Sequence, residues 1–309
     1  MNRSPRRRRT SLLAGLIALL TVSIAACSGE TSSFGGSAGN QGGDGDAKSV
    51  SVSVVAGWDD AIAATYLWKE LLEQRGYQVN LQELDIASTF TGVANGQIDL
   101  YLDAWLPVTH EAYWKRFQNQ LEVVSTWSTG TNLLAVPDYV NVSSLADLKG
   151  RSAEFGGRIV GIEAGAGLMR ATREQVIPAY GLEDYSLVEG SSPAMLATLD
   201  SAIKNQEPVV VTLWQPHWAF SRWPLKVLED PQGAFGQPDQ LQAVATKGFS
   251  AAKPELAGWL KNFKLTPAQL GNLMLKIQEA GQGNEQQAAK QWISENQQVV
   301  DAWFSGTTS

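Results

Sequence analysis

Three tryptophan-centred motifs hold most of the chemical information in this chain. They are Gly57-Trp58-Asp59-Asp60, Asp103-Ala104-Trp105-Leu106-Pro107-Val108-Thr109-His110 and Leu213-Trp214-Gln215-Pro216-His217-Trp218. The second and third share a grammar: an apolar strand-like run, then Trp, Pro and His within a few residues. The chain has 2 histidines, His110 and His217, and both lie in these motifs. Indole faces attract cations through the ring quadrupole, most strongly where water is excluded. Three such faces converging from separate loops would suit a quaternary ammonium. That group has no N–H to donate, so hydrogen-bonding residues alone hold it poorly.

The residues around the tryptophans have plainer readings beside the chemical ones. Asp59 and Asp60 begin a helix, where carboxylates favour the positive end of the dipole, so they read as helix-start residues before ligands. Asp103 adds long-range attraction for a cation or serves as a hydrogen-bonded structural carboxylate; the sequence leaves both open. Gly161-Ile162-Glu163-Ala164-Gly165-Ala166-Gly167 follows a strand and precedes a helix, a turn whose backbone N–H groups fit a carboxylate or phosphate. It lacks the Lys of a phosphate-binding P-loop and the G-x-G-x-x-G spacing, so nucleotide binding is not expected. Two histidines without a second cysteine or a His-x-x-x-His pair make a poor zinc signature. His110 and His217 therefore read as hydrogen-bonding groups, and no metal or cofactor is expected. Tryptophans 68, 114, 127, 259, 292 and 303 mostly fall in helix-like runs and read as packing. Trp218 and Trp223 adjoin the third motif and stay open.

Strand-like runs at 50–55, 79–83, 98–102, 132–136, 159–162, 209–213 and 241–246 alternate with helix-like runs. The latter are 61–75, 111–118, 168–180, 193–205, 255–262, 267–279 and 284–303. Such alternation predicts α/β architecture with largely parallel sheets. Ser144-Leu145-Ala146-Asp147 has capping-box spacing, with Asp in place of Glu. Pro cannot continue a central strand and suits the first turn of a helix. Trp105 and Trp214 should therefore stand at the carboxyl ends of strands, where open α/β sheets bind ligands. Two such ends suggest two lobes facing one cleft: 49–138 plus 240–309, and 139–239. The crossings are expected near 137–142 and 236–241, with the last helices packing back on the first lobe.

The start of the chain reads as an export segment. Arg3, Arg6, Arg7, Arg8 and Arg9 form a basic region, and 12–26 is apolar but short for a membrane span. Arg8-Arg9 also matches a twin-arginine signal weakly. Ile24-Ala25-Ala26-Cys27 resembles a lipobox, which would make 1–26 a signal peptide and Cys27 a lipid-bearing residue. The alternative is ordinary cleavage after Ala26, leaving a free thiol. Cys27 is the only cysteine, so no intramolecular disulfide can form. Residues 28–48, rich in Gly and Ser, read as a tether with a reach of roughly 25 Å. The net charge is −7, and removing the basic leader makes the remainder more acidic, which argues against nucleic acid as a partner.

At these residues the chain resembles glycine betaine/proline betaine-binding proteins of osmoprotectant ABC importers. The resemblance rests on Gly-Trp-Asp-x-x-Ile-Ala at 57–63, Ala-Trp-Leu-Pro-x-Thr-His at 104–110 and Gly-Ile-x-x-Gly-x-Gly at 161–167. It extends to Trp-x-Pro-His-Trp at 214–218 and Thr246-Lys247-Gly248-Phe249. It implies a two-lobed periplasmic-binding-protein-like fold of type II, with the ligand cleft between lobes joined by a hinge. It implies a cage of Trp58, Trp105 and Trp214 around the ammonium, with Gly161 and Ile162 N–H groups and His110 on the carboxylate. Asp103 and His217 would stand behind them. A charge at Asp103 would widen the range toward choline, and His110 is expected to donate better when protonated. Ala164 stands where relatives can have Pro. The implied protein is a monomeric, lipid-anchored receptor outside the cytoplasm. It would deliver a betaine to membrane permease subunits driven by a separate ATPase and carry out no reaction. A choline, carnitine or other betaine receptor is the near rival. An exported hydrolase is the distant one, for which no G-x-S-x-G or H-E-x-x-H is present.

Overall fold

The structure is a computed structural model and describes residues 48–305. The expected signal peptide, Cys27 and nearly all of the tether lie outside the described residues. Strand β1 (Ser49–Val54) buries Val50, Val52 and Val54. It lies parallel between β2 (Gln78–Glu83) and β3 (Leu100–Leu106). Helix Asp59–Glu73 connects β1 to β2, and helix Ile86–Ala94 leads into β3. All seven residues of β3 are buried, as expected of a strand covered on both faces.

Beyond β3 the pairing becomes antiparallel. Strand β9 (Asp239–Thr246) pairs β3 on one side and β4 (Leu121–Pro137) on the other. Strand β4 follows β9 as far as Gly130 and from Thr131 onward pairs β7 (Val211–Gln215). The short strand β5 (Arg158–Val160) lies parallel between β7 and β6 (Ser186–Val188), and β8 (Leu225–Val227) adds to β4. The order is β2-β1-β3-β9-β4-β7-β5-β6. The expectation of largely parallel sheets is thus corrected to a mixed arrangement. Antiparallel strands need no crossover helix, so β4 and β9 can run through the middle and join the two halves. β4 changes partner upstream of the crossing that the sequence suggested at 137–142.

Several local expectations hold. Ser144 caps a 3-10 turn at Leu145–Leu148, and Asp147 completes the capping box. Trp105 and Trp214 stand near the ends of β3 and β7, and the following prolines, Pro107 and Pro216, both take cis peptide bonds. The last helices pack on helix Asp59–Glu73. Gln286 bonds Glu70 and Glu73, and Trp303 stacks on Trp68 at 6.3 Å. The helix expected at 284–303 breaks at Asn296 into Glu285–Glu295 and Gln297–Phe304. The Asn296 side chain donates to Trp292 O, the kind of local bond that competes with a continuing ladder. Trp68, Trp127 and Trp292 are fully buried core residues. Among the described residues, no helix is long and apolar enough to cross a membrane.

Candidate ligand site

One feature of β3 shapes the site. Across from β9, Tyr101 faces Val244 and Ala104 faces Gln242, so Leu102 and Asp103 together span the interval of Ala243 alone. This is a bulge, which bends a strand and re-aims its side chains. Asp103 becomes fully buried, and Asp103 Oδ1 accepts from Trp105 Nε1 at 3.0 Å. The same indole N–H is 3.0 Å from Asp60 Oδ2. The ring of Trp105 lies against Gly130, where a Cβ would stand 2.2 Å from it, so a larger residue at 130 would displace the ring.

Trp58, Trp105 and Trp214 meet around a small cavity of about 30 Å³, each less than a tenth exposed. Trp58 reaches it because Gly57 takes φ of 77°, the left-handed conformation that favours glycine, at the turn into helix Asp59–Glu73. Trp58 Nε1 donates to Glu163 Oε2 at 3.1 Å. The Trp58 ring stacks on His110 at 5.8 Å with 8° between planes. The remaining walls come from Asp60, Thr109, His110 and Asn132 on one side and Ile162, Ala166, Gly167 and Leu168 on the other.

His110 closes a local loop. Trp105 N donates to His110 Nδ1 at 2.9 Å, and His110 N donates to Trp105 O at 2.9 Å. An imidazole that accepts at Nδ1 carries its proton on Nε2. His110 Nε2 is buried, has no protein partner, and belongs to the cavity wall. Burial, with Arg170 adding to it, lowers the imidazole to about 3. Without a carboxylate beside it, His110 is therefore a neutral imidazole with its proton on Nε2. Asp239 fixes the same loop by accepting from Val108 N at 2.6 Å, Thr109 N at 3.0 Å and the Thr109 hydroxyl.

The glycine-rich turn differs in detail from its sequence reading. Gly161 N donates to Val188 O at 2.9 Å, so this N–H is already committed. Ile162 lines the cavity, and its N–H faces the Met169 thioether, a weak acceptor, at 3.3 Å. Gly167 and Leu168 open a short helix whose cap residue, Ala166, makes no side-chain cap bond. First-turn N–H groups have no intrahelical acceptor, so this end of the cavity favours an anionic group.

Asp60 is the wall residue that the sequence reading set aside as a helix-start carboxylate. It is 2 % exposed, and burial pushes it up to about 6. Burial and then the neighbouring Asp60 charge push Asp103 well above the usual carboxylate range. Asp103 itself stands behind Trp105, outside the cavity wall. His217 packs edge-on against Trp214 at 4.6 Å, with Nδ1 accepting from Ala219 N at 3.0 Å. His217 Nε2 is 3.1 Å from Asp59 Oδ2, near enough for an ion pair yet not aligned as a hydrogen bond. Trp218 and Trp223 pack against each other at 5.3 Å with their rings tilted by 50°, and both line a separate outer groove with Asp59 and Tyr66. Among the described residues, no group of three or more His, Cys, Asp or Glu could hold a metal.

Residues 48–295 match the substrate-binding domain of the ABC-type glycine betaine transport system. The chain belongs to this family. It is 38 % identical over 150 residues to the glycine betaine/carnitine transport binding protein of Listeria monocytogenes, covering 48 % of this chain and 49 % of that protein. It thus spans about half the length of that relative. The glycine betaine/proline betaine-binding periplasmic protein of Escherichia coli is 25 % identical over 280 residues, covering 78 % of this chain and 84 % of the other. A lactococcal relative in its closed, glycine betaine-complexed conformation superposes with TM-score 0.78 at 34 % identity, covering 84 % of this chain and all of that one. A choline-binding protein in complex with choline superposes with TM-score 0.77 at 26 % identity, over 84 % and 93 % of the two chains. The fold is accordingly that of the two-lobed substrate-binding proteins, and the family is one of substrate-binding domains rather than of enzymes. The hydrolase alternative is set aside.

Proposed function

We propose that the protein captures a betaine, with the ammonium caged by Trp58, Trp105 and Trp214 and the carboxylate held by His110. The observation that carries this reading is the pairing of three dry indole faces with a buried, unpartnered Nε2–H in the same small cavity. Ile162 and the open helix start at Gly167 and Leu168 complete the carboxylate end. The Gly161 N–H, already given to Val188, contributes only through the shape of the turn. A desolvated cation–π contact contributes about 2 kcal/mol. Micromolar binding needs about −8 kcal/mol, so the carboxylate contacts and closure must supply the remainder. Two lobes, 49–138 plus 240–309 and 139–239, would close on the ligand about β4 and β9.

Calorimetric titration with glycine betaine, proline betaine, carnitine, choline and free glycine tests the assignment. Methylated zwitterions should bind, and glycine should not, because its ammonium would lose strong hydration in an aromatic cage. Equal affinity for glycine and its trimethylated form would remove the cage model. A choline receptor is the second reading, favoured by the Asp60 carboxylate in the cavity wall.

The receptor would work as a monomer, held outside the cytoplasm by lipid on Cys27. Replacing Cys27 by Ala should release the protein from membranes or block its processing, with the ligand affinity of the soluble part unchanged. Membrane retention of a correctly cleaved Cys27→Ala form would remove the anchor assignment.

A further inference from the structure

Asp60 and Asp103 come from different elements, the first turn of helix Asp59–Glu73 and the bulge of β3, yet both accept from Trp105 Nε1. One N–H thus stands 3.0 Å from an oxygen of each carboxylate, with Asp60 2 % exposed and Asp103 fully buried. The titratable groups facing Asp60 are Asp59, His217 and Asp103; those facing Asp103 are Asp60 and the buried Tyr101 hydroxyl. His217 partly offsets the charge of Asp60, but burial outweighs it, and neither Asp59 nor Tyr101 offsets a second negative charge. Asp103 Oδ2 accepts from no backbone or side-chain N–H. Two carboxylates held this closely in a dry site cannot both ionise freely, and the pair retains a proton. Only Asp60 reaches the cavity wall.

We propose that the Asp60–Asp103 pair selects the charge type of the ligand. With one proton the pair presents a single negative charge to the cage and favours a quaternary ammonium without a carboxylate. With two protons it is neutral and favours a zwitterion. This inference rests on the ammonium-cage reading above. In each case the closed site encloses a net charge of zero, the cheapest arrangement in a dry cavity. Asp60 is the member that meets the ligand, and Asp103 is a positioning residue that acts by sharing the proton. The sequence reading placed the choline-favouring charge on Asp103; the geometry moves it to Asp60.

The test measures the ratio of choline to glycine betaine affinity from about pH 7 to about pH 5 on the wild-type protein. Asp60 titrates at about 6, so the ratio should fall about tenfold over that range as the second proton binds. In Asp103→Asn the competing carboxylate is gone, Asp60 should titrate lower, and the ratio should hold nearly constant to about pH 5. In Asp60→Asn the ratio should be independent of pH. Thermal melts confirm that each variant folds, and the wild-type profile decides the matter even where one does not. A wild-type ratio constant with pH, while glycine betaine still binds, overturns the proposal alone. A slope that persists in Asp60→Asn does the same. Failure of both ligands to bind at every pH overturns the betaine reading itself, and this inference with it.

Discussion

The indole N–H of Trp58 reaches out of the cage to Glu163 Oε2, 3.1 Å away in the turn after β5. Glu163 also accepts from Ser192 N at 3.0 Å and Ser192 Oγ at 3.1 Å, so one carboxylate ties a cage wall to two segments of the other half. Cage geometry and the contact between these segments are therefore linked at the Glu163 side chain. Trp58→Phe keeps an aromatic face and loses the donor; Glu163→Gln keeps the shape and loses the charge. Each should weaken glycine betaine binding by about 1 kcal/mol, roughly fivefold. Because both act on one bond, the double variant should lose clearly less than the sum. Calorimetry on the four proteins measures this, and full additivity would mean that the bond does not hold the closed form.

Cage and core tryptophans should separate cleanly. Trp105→Ala removes one ring face and the N–H shared by Asp60 and Asp103. It should cost about 2 kcal/mol or more in ligand binding, roughly thirtyfold. Trp292 is fully buried in helix Glu285–Glu295, away from the cavity. Trp292→Ala should instead cost roughly 3–5 kcal/mol of folding stability. Affinity and thermal melts read the two effects; equal losses of affinity would mean that the cage is misplaced.

The contrast between these residues shows what the sequence could and could not reveal. Trp105 and Trp214 were readable because a strand followed by Trp-x-Pro is a local signal, and Pro ends a strand for covalent reasons. The first half of β4 was not, because Ser125, Thr126, Ser128 and Thr129 look like a polar loop until β9 pairs with them. Strands β6 and β8, three residues each, carry too little pattern to detect. Asp60 does stand in the first turn of its helix, as helix-start logic expects, but that logic is local and could not reveal its bond to Trp105 Nε1 from β3. Similarly, the tautomer of His110 follows from a bond to Trp105 N that only backbone coordinates disclose.

Gly167 packs directly against the Thr109 backbone. A Cβ there would lie 2.0 Å from the Thr109 carbonyl oxygen, a backbone atom of the loop that carries His110. Ala favours a helix start better than Gly does, so Gly167→Ala should not harm the local helix. The added methyl should oppose closure by about 1–3 kcal/mol and weaken ligand binding roughly tenfold to a hundredfold. Small-angle scattering with saturating glycine betaine should show a wider particle than wild type. Unchanged affinity, with only a lower Tm, would make the contact ordinary packing.

His110 supplies the last prediction. Its Nδ1 accepts from Trp105 N, its Nε2–H has no protein partner, and its pKa is lowered to about 3. A base whose folded pKa lies below its unfolded value favours folding above the unfolded pKa, and that contribution is lost as pH falls toward the folded one. Between about pH 5 and pH 8 the ring therefore donates as a neutral imidazole. His110→Ala removes one buried hydrogen bond to the ligand carboxylate and should lower glycine betaine affinity by roughly 1–3 kcal/mol, about tenfold to a hundredfold. Choline has no carboxylate and should lose far less. The pH profiles of wild type and His110→Ala for glycine betaine should run parallel, since the slope arises at Asp60 and not at the ring. Titrations of both ligands across this range, with thermal melts alongside, give the answer. A wild-type affinity that climbs at low pH while the variant stays flat would restore the imidazolium, and equal losses for choline and glycine betaine would make His110 a purely structural residue.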